Sequence, residues 1–382
     1  MNRPRICSKT VLDTTIPGIT FDENGVCHYV KIYEWLDRQY PIINGYSPLL
    51  ENLIKEIKSS GEKKEFDCVV GVSGGTDSTY TLLKAVECGL KPLAVHCDTG
   101  WNSVEAVKNI KNACNKLNVP LVTYVLDWEE FKALQVAFLK ASVPDVDIPA
   151  DVAIHSVLIK TAAKEGIKYV LNGHSFRNEF LMPIGWTYMD GRYISSVYKI
   201  FNQKKLKKYP NFTLFDLFYF NILRGIKVVP FLNYFDYKKP HAKQELREKL
   251  HWHDYGGHHH ESIFTHFVQS YYLPKKFNID KRKTELSAMI LNGVISREEA
   301  LEILKTPYPF RTEIVEYVCQ KLDISPVDFE KIMGAPNKTF LDYPTYYPLI
   351  KKIRPIVKLA TRWGFLPEID LSEILLLKVI FS

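Results

Sequence analysis

Between residues 66 and 174, short apolar runs alternate with stretches of helical spacing. "FDCVVGV" reads as a buried strand. A helix from Asp77 to Glu87 follows, with Leu82, Leu83 and Val86 inward and Gly89 suited to a left-handed stop. "KPLAVHCD" is a second strand, and Ser103 can cap a helix carrying Val104, Val107, Ile110, Cys114 and Leu117 at helical spacing. "PLVTYVLD" is a third strand. Helical stretches come around 129 to 141 and 150 to 165, the latter ended by Gly166, and "KYVLNGH" is a fourth strand. Apolar strands alternating with helices predict an α/β fold, a doubly wound parallel sheet with helices on both faces.

On either side the pattern changes. Residues 1 to 45 are irregular and rich in turn signals, and 47 to 60 form a short amphipathic helix with Leu49, Leu50, Leu53, Ile54 and Ile57 on one face. Beyond 175 the alternation stops, and the chain becomes aromatic and basic, then mostly helical. Asp280 can cap a helix ending near Gly293; "SREE", 296 to 299, is a capping box whose helix Pro307 closes. "FTLFDLFYFNIL", 212 to 223, is most simply a buried helix, with a docking surface as the alternative. "YPLIKKIRPIVKLATRWGF" onward is basic and amphipathic, an ordinary surface helix before a partner or membrane contact.

Composition narrows the class. The 382 residues are 46% apolar and 24% charged, the profile of a globular protein. No segment has the length of apolar sequence that stable membrane insertion needs, and "MNRPRICSKT" lacks a secretory core. Seven irregularly spaced cysteines read as reduced thiols in a cytoplasmic protein. The net charge of +7 favours an anionic ligand or surface without choosing which.

The chemistry concentrates in "GVSGGTDS", Gly71 to Ser78. After Gly71 and Val72 end the strand, Gly74 and Gly75 let the backbone turn sharply and approach a ligand. Ser73, Thr76 and Ser78 lie where backbone N–H groups and a helix N-terminus converge, a nest for a pyrophosphate-sized anion. Asp77 suits a magnesium ligand, or a group that positions the loop. No lysine completes a mononucleotide-binding GK[ST] loop.

This stretch resembles the SGGxDS pyrophosphate loop (PP-loop) of the ATP pyrophosphatase superfamily, which implies the adenine-nucleotide alpha-hydrolase type of fold and cleavage of ATP between its α and β phosphates. By that resemblance, Asp98 at the end of the second strand is a candidate for ribose or base contact. Asn172, Gly173 and His174 would lie at the carboxyl edge of the sheet, where open α/β folds bind ligands.

Residues 255 to 304, "YGGHHHESIFTHF" onward, resemble the N-acetyl sugar amidotransferases of bacterial surface-polysaccharide synthesis, and "IPGITFDENGVC", 16 to 27, resembles their N-terminal signature. The resemblance implies an ATP- and magnesium-dependent, AMP-forming conversion of a sugar acetamido group to an acetamidino group, in lipopolysaccharide or O-antigen synthesis. It divides the chain into a segment 1–60, a PP-loop domain 61–185, a helical sugar- and phosphate-binding part 186–335 and a tail 336–382. Lys281 and Arg282 are candidates for neutralising phosphate charge. His258, His259 and Glu261 could bind sugar, orient ammonia or take a proton, and a shared helix face of His258, Ser262 and His266 also permits a metal. Relatives carry two CxxC pairs near the N-terminal signature. Here Thr10 and Val30 stand where the second thiols would be, so no structural zinc is expected. With no glutaminase nucleophile in the chain, a separate glutaminase and a cyclase-like, ammonia-channelling subunit are the expected partners, and no nucleic acid. The alternatives are a tRNA-modifying enzyme using the same loop and a non-catalytic nucleotide-binding assembly subunit.

Overall fold

The computed structural model describes residues 4–257 and 260–352. Five strands, β1 (Cys68–Gly71), β2 (Pro92–Asp98), β3 (Leu121–Val125), β4 (Tyr169–Asn172) and β5 (Lys227–Pro230), form one parallel sheet in the order β3-β2-β1-β4-β5. The chain steps outward from β1 to β3, then returns to the far side of β1. The crevice at the carboxyl ends of β1 and β4 is therefore a topological switch point.

Two cores sandwich the sheet, and strand alternation assigns each residue to one of them. Val69, Leu93, Val95 and Val170 join the core containing α1 (His28–Gln39). Cys68, Val70, Ala94 and Leu171 join the one containing α2 (Leu50–Ser60). The crossover helices α3 (Thr76–Glu87) and α4 (Val104–Leu117) belong to the second core, and α5 (Trp128–Ala141) and α6 (Ile148–Lys164) to the first. This is the doubly wound arrangement, with a mostly helical C-terminal part.

Local chemistry sets the element ends. Ser103 caps α4 by accepting from Ala106 N, and Asp127 caps α5 by accepting from Glu130 N. The Ser296–Glu299 capping box opens the helix Arg297–Lys305. Asp280 accepts from Arg282 N at 3.0 Å, and the helix it precedes runs Arg282–Leu291.

Several expectations change. Parallel alternation does not end at residue 175, because β5 pairs with β4. Val104 and Val107 face outward; α4 buries Ala106, Asn109, Ile110, Ala113 and Cys114 instead. Leu49 precedes α2 and is exposed. In the aromatic run only Phe212 is buried. The turns Leu214–Leu217 and the π-helical Phe218–Leu223 bury no residue, and Phe215 is 75% exposed. Residues 353–382 of the expected basic tail lie outside the described residues. Among the described residues no helix is long and apolar enough to cross a membrane.

Candidate active site

A cavity of about 540 Å³ opens at the switch point. Its floor is the loop that joins β1 to α3, with Gly71, Val72, Ser73, Gly75, Asp77 and Ser78 in the wall. Gly74 takes φ +80°, the left-handed turn that aims the following amides along the axis of α3. A side chain at Gly74 would strike the Ala106 carbonyl at 2.2 Å, so this position also sets how closely α4 approaches.

The loop is held from behind. Trp252 Nε1 donates to the Gly74 carbonyl at 2.9 Å, and Asn109 Nδ2 donates to the same oxygen at 3.2 Å. Thr76 N donates to the Tyr255 hydroxyl at 3.2 Å. In front, the Ser73 and Ser78 hydroxyls lie 3.0 Å apart, and Gly75 N donates to Ser73 Oγ at 3.3 Å. The opening amides of α3 at Asp77 and Ser78 have no intrahelical acceptor by helix geometry. Hydroxyls, a glycine turn and a helix N-terminus thus converge on one point, the donor set that grips a phosphate chain.

A carboxylate already sits at that point. Glu261 Oε1 accepts from Ser73 Oγ at 3.3 Å, and a Cβ on Gly75 would meet the same oxygen at 2.6 Å. The cradle therefore holds an anionic group of the protein itself, which an incoming phosphate must displace.

Asp77 is engaged on both oxygens. The Tyr237 hydroxyl donates to Oδ1, and Lys239 Nζ lies 3.0 Å from Oδ2. Burial works against the Lys239 charge, but Asp77, Glu285 and Glu179 outweigh it and raise the ammonium's pKa. Burial and the Asp77 charge together push the Tyr237 hydroxyl up. An ammonium thus stands where the sequence suggests magnesium. Among the described residues no group of three or more His, Cys, Asp or Glu side chains is placed to hold a metal. Asp77 is the residue that would hold the ion together with the phosphates of ATP, and it would have to share its carboxylate with Lys239 to do so.

The far wall comes from the C-terminal half: Glu261, Ser262, Thr265, Gln269, Lys281 and Arg282. Arg282 is bound to Asp280 (Nη2 to Oδ2 2.6 Å) and donates to the Thr306 carbonyl, so its charge is largely spent. Lys281 lines the cavity. Beyond β4, Asn172, Gly173 and His174 also line it. His174 Nδ1 is 2.5 Å from Glu179 Oε2, and Gly173 packs so closely that a Cβ would meet the Asp77 carbonyl carbon at 2.7 Å.

The structure thus gathers Ser73, Gly75, Asp77, Ser78, Asn172, Gly173, His174, Glu261, Lys281 and Arg282 around one space. Gly74 and Thr76 support the loop without lining it. Asp98 does not reach the cavity wall. Its Oδ1 accepts from Gly100 N at 2.8 Å and Asn102 Nδ2 at 2.9 Å, which fixes the turn after β2. His259, with His258, lies outside the described residues. The helix bearing His266 begins only at Ile263, with Ser262 as its cap and not on its face. His266 instead stacks on His260, ring centroids 3.5 Å apart. Lys239, Tyr237, Tyr255 and Trp252 carry no sequence signal toward the loop. Pro240, at a helix start, and the 255–304 stretch that opens at Tyr255 mark their neighbourhood without pointing to the loop.

At the N-terminal signature, Cys7, Thr10, Cys27 and Val30 are all fully buried. The hydrogen bond from Cys27 holds the Cys7 sulfur below the usual thiol range, against the opposing effect of burial. Arg297 donates to the Cys7 carbonyl (Nη2, 3.0 Å) and the Thr10 carbonyl (Nε, 3.1 Å), closing this turn with a guanidinium.

A parallel sheet whose first strand runs through SGGTDS into a helix, with a cavity over that loop, is an arrangement suited to holding a phosphate chain. Residues 261–354 match the family model described as LPS biosynthesis protein WbpG-like, C-terminal domain. A stretch of 64 residues is 38% identical to tRNA(Ile)-lysidine synthase of Chlamydia pneumoniae, covering 16% of this chain and about a fifth (20%) of that protein. Two solved structures are loosely similar. NMN synthetase from Francisella tularensis has 14% identity and the NH3-dependent NAD synthetase from Campylobacter jejuni 16%. Each likeness covers 76% of this chain and 96% of the other, at TM-score 0.32, too loose to bear on chemistry. The chain is thus similar to PP-loop enzymes over a short stretch and, over residues 261–354, to the WbpG-like C-terminal domain.

Proposed function

We propose that the protein is an ATP-dependent amidotransferase that converts a sugar acetamido group to an acetamidino group in bacterial surface-polysaccharide synthesis. The observation that carries this reading is the shared cavity. The pyrophosphate loop forms one wall, and side chains of the WbpG-like domain, Glu261, Thr265, Gln269 and Lys281, form the wall opposite.

An amide carbonyl is a poor electrophile, and its oxygen is a poor leaving group. In the proposed reaction that oxygen attacks the α-phosphorus of ATP. The new O–P bond replaces the bond to the β-phosphate, pyrophosphate leaves, and the amide N–H proton is lost. Ammonia then adds to the imidate carbon, the C–O bond breaks, and AMP departs with the former amide oxygen. The Ser73 and Ser78 hydroxyls and the amides at the start of α3 hold the pyrophosphate portion. Lys281 offsets its charge, and Glu261 gives way to it. His174, oriented by Glu179, is placed to take a proton from the incoming ammonium. Ammonia comes from a separate glutaminase through a cyclase-like channelling subunit.

The test supplies ATP, ammonium chloride and a panel of acetamido sugars, nucleotide-linked and free. AMP formation together with a sugar product lighter by about one dalton supports the reading; no AMP with any sugar refutes it. The lysidine synthase match favours a second reading, modification of a tRNA base. Release of AMP stimulated by tRNA and not by sugars would establish that reading instead.

A further inference from the structure

The site carries two charges of its own in the places its ligands would claim. Glu261 Oε1 lies in the anion cradle, 3.3 Å from Ser73 Oγ. Lys239 Nζ lies 3.0 Å from Asp77 Oδ2, where a divalent cation would meet that carboxylate. The lysine, unlike an isolated counter-ion, has other carboxylates to turn to.

Asp77, Glu285 and Glu179 all attract the Lys239 ammonium and keep it charged against the effect of burial. They come from separate elements: Asp77 from the first turn of α3, Glu179 from the turn Phe176–Glu179 after β4, and Glu285 from the helix Arg282–Leu291. Lys239 itself opens the helix Lys239–Leu250, an end whose dipole disfavours a cation, so the carboxylates are what hold it there. An ammonium paired with one buried carboxylate cannot leave it without stranding a charge. One shared among three can release the first and stay compensated. Asp77 would keep its place meanwhile, because the Tyr237 hydroxyl holds its other oxygen.

The three carboxylates line the cavity, whereas Lys239 is not part of the wall. An ammonium behind that wall meets carboxylates before it meets a ligand's phosphates. Its placement suits a counter-ion of Asp77 better than a phosphate clamp.

Resting on the reading above, in which ATP arrives with a divalent cation, we propose that Lys239 is an exchangeable counter-ion of Asp77. It gives up that carboxylate to the ion accompanying the phosphates and is retained by Glu179 and Glu285. The exchange opposes binding of the metal alone, so metal and phosphate enter as a pair.

Manganese serves as the probe. Its uptake by the protein is measured by equilibrium dialysis with inorganic pyrophosphate present and no sugar. Lys239→Met should bind manganese about tenfold more tightly than the wild type, because the competing charge is gone. Lys239→Arg keeps the charge and can grip a carboxylate in two places, so it should bind manganese several-fold more weakly. The arginine variant preserves the network and decides the matter if the methionine variant does not fold. Weaker uptake by the methionine variant would mean that the ammonium holds the phosphates, and would overturn the proposal. So would uptake unchanged by either substitution, an arginine variant that binds more tightly, or a wild type that takes up no manganese. The readout involves neither sugar nor AMP. An enzyme that forms AMP from acetamido sugars can therefore fail this test, and a protein that forms none can pass it.

Discussion

Lys239 Nζ lies 3.0 Å from Asp77 Oδ2, a pair in which both side chains are mostly buried. The lysine also answers to Glu179 and Glu285, so it neutralises an acidic wall and not one carboxylate alone. The two partners should therefore differ when removed. Lys239→Met leaves Asp77 uncompensated and should cost on the order of 3–5 kcal/mol in urea unfolding. Asp77→Asn should cost clearly less, because Lys239 keeps two other carboxylates. Equal losses would mean that the network acts as a single pair.

Glu261 occupies the anion cradle, so its charge opposes phosphate binding. Glu261→Gln should bind inorganic pyrophosphate, without added metal, about tenfold more tightly than the wild type by titration calorimetry. That corresponds to roughly 1.4 kcal/mol, well within the Coulomb energy of charges a few ångströms apart near a surface. Weaker binding would show that the carboxylate helps to hold the ligand.

Asp145 is fully enclosed. Burial pushes its carboxyl up to about 7, although the Tyr193 hydroxyl at 3.0 Å pulls the other way. A raised folded pKa means that the folded state holds the proton more tightly than the unfolded chain. This group costs nothing well below pH 4; the penalty grows between about pH 4 and 7 and is complete above 7. Asp145→Asn keeps an acceptor for Tyr193. It should be near-neutral at pH 4 and stabilising at pH 8 by up to roughly 4 kcal/mol in denaturant titrations at the two pH values.

Much of this architecture is legible in the sequence because apolar periodicity and turn chemistry are local. The loop from Ser73 to Ser78, the strands flanking it and the cap at Ser103 follow from a few residues each. β5 escapes notice because its four residues end in Pro230 and follow an aromatic run. That run reads as buried because composition does not say which side of a helix meets the core. Val104 and Val107 mislead similarly: the inward stripe of α4 includes the polar Asn109, which is buried because it holds the Gly74 carbonyl. The Asp77–Tyr237 and Asp77–Lys239 contacts span about 160 residues and have no local trace.

The N-terminal turn is held by Arg297 and by packing around Cys7, Thr10, Cys27 and Val30. Arg297→Ala should lower stability by about 2 kcal/mol, because it strands two carbonyls that the guanidinium satisfies, and should hasten proteolysis near residue 10. A metal chelator should leave the thermal midpoint unchanged. A drop on chelation would reveal a metal at the cysteines.

In the proposed reaction the cradle beneath Glu261 holds ATP while an amide oxygen is adenylylated. Oxygen-18 placed in the acetamido carbonyl of an accepted sugar reports this step through the mass of the AMP produced with ammonium chloride. AMP should emerge heavier by about two daltons, in step with acetamidino product. Unlabelled AMP alongside that product would contradict it.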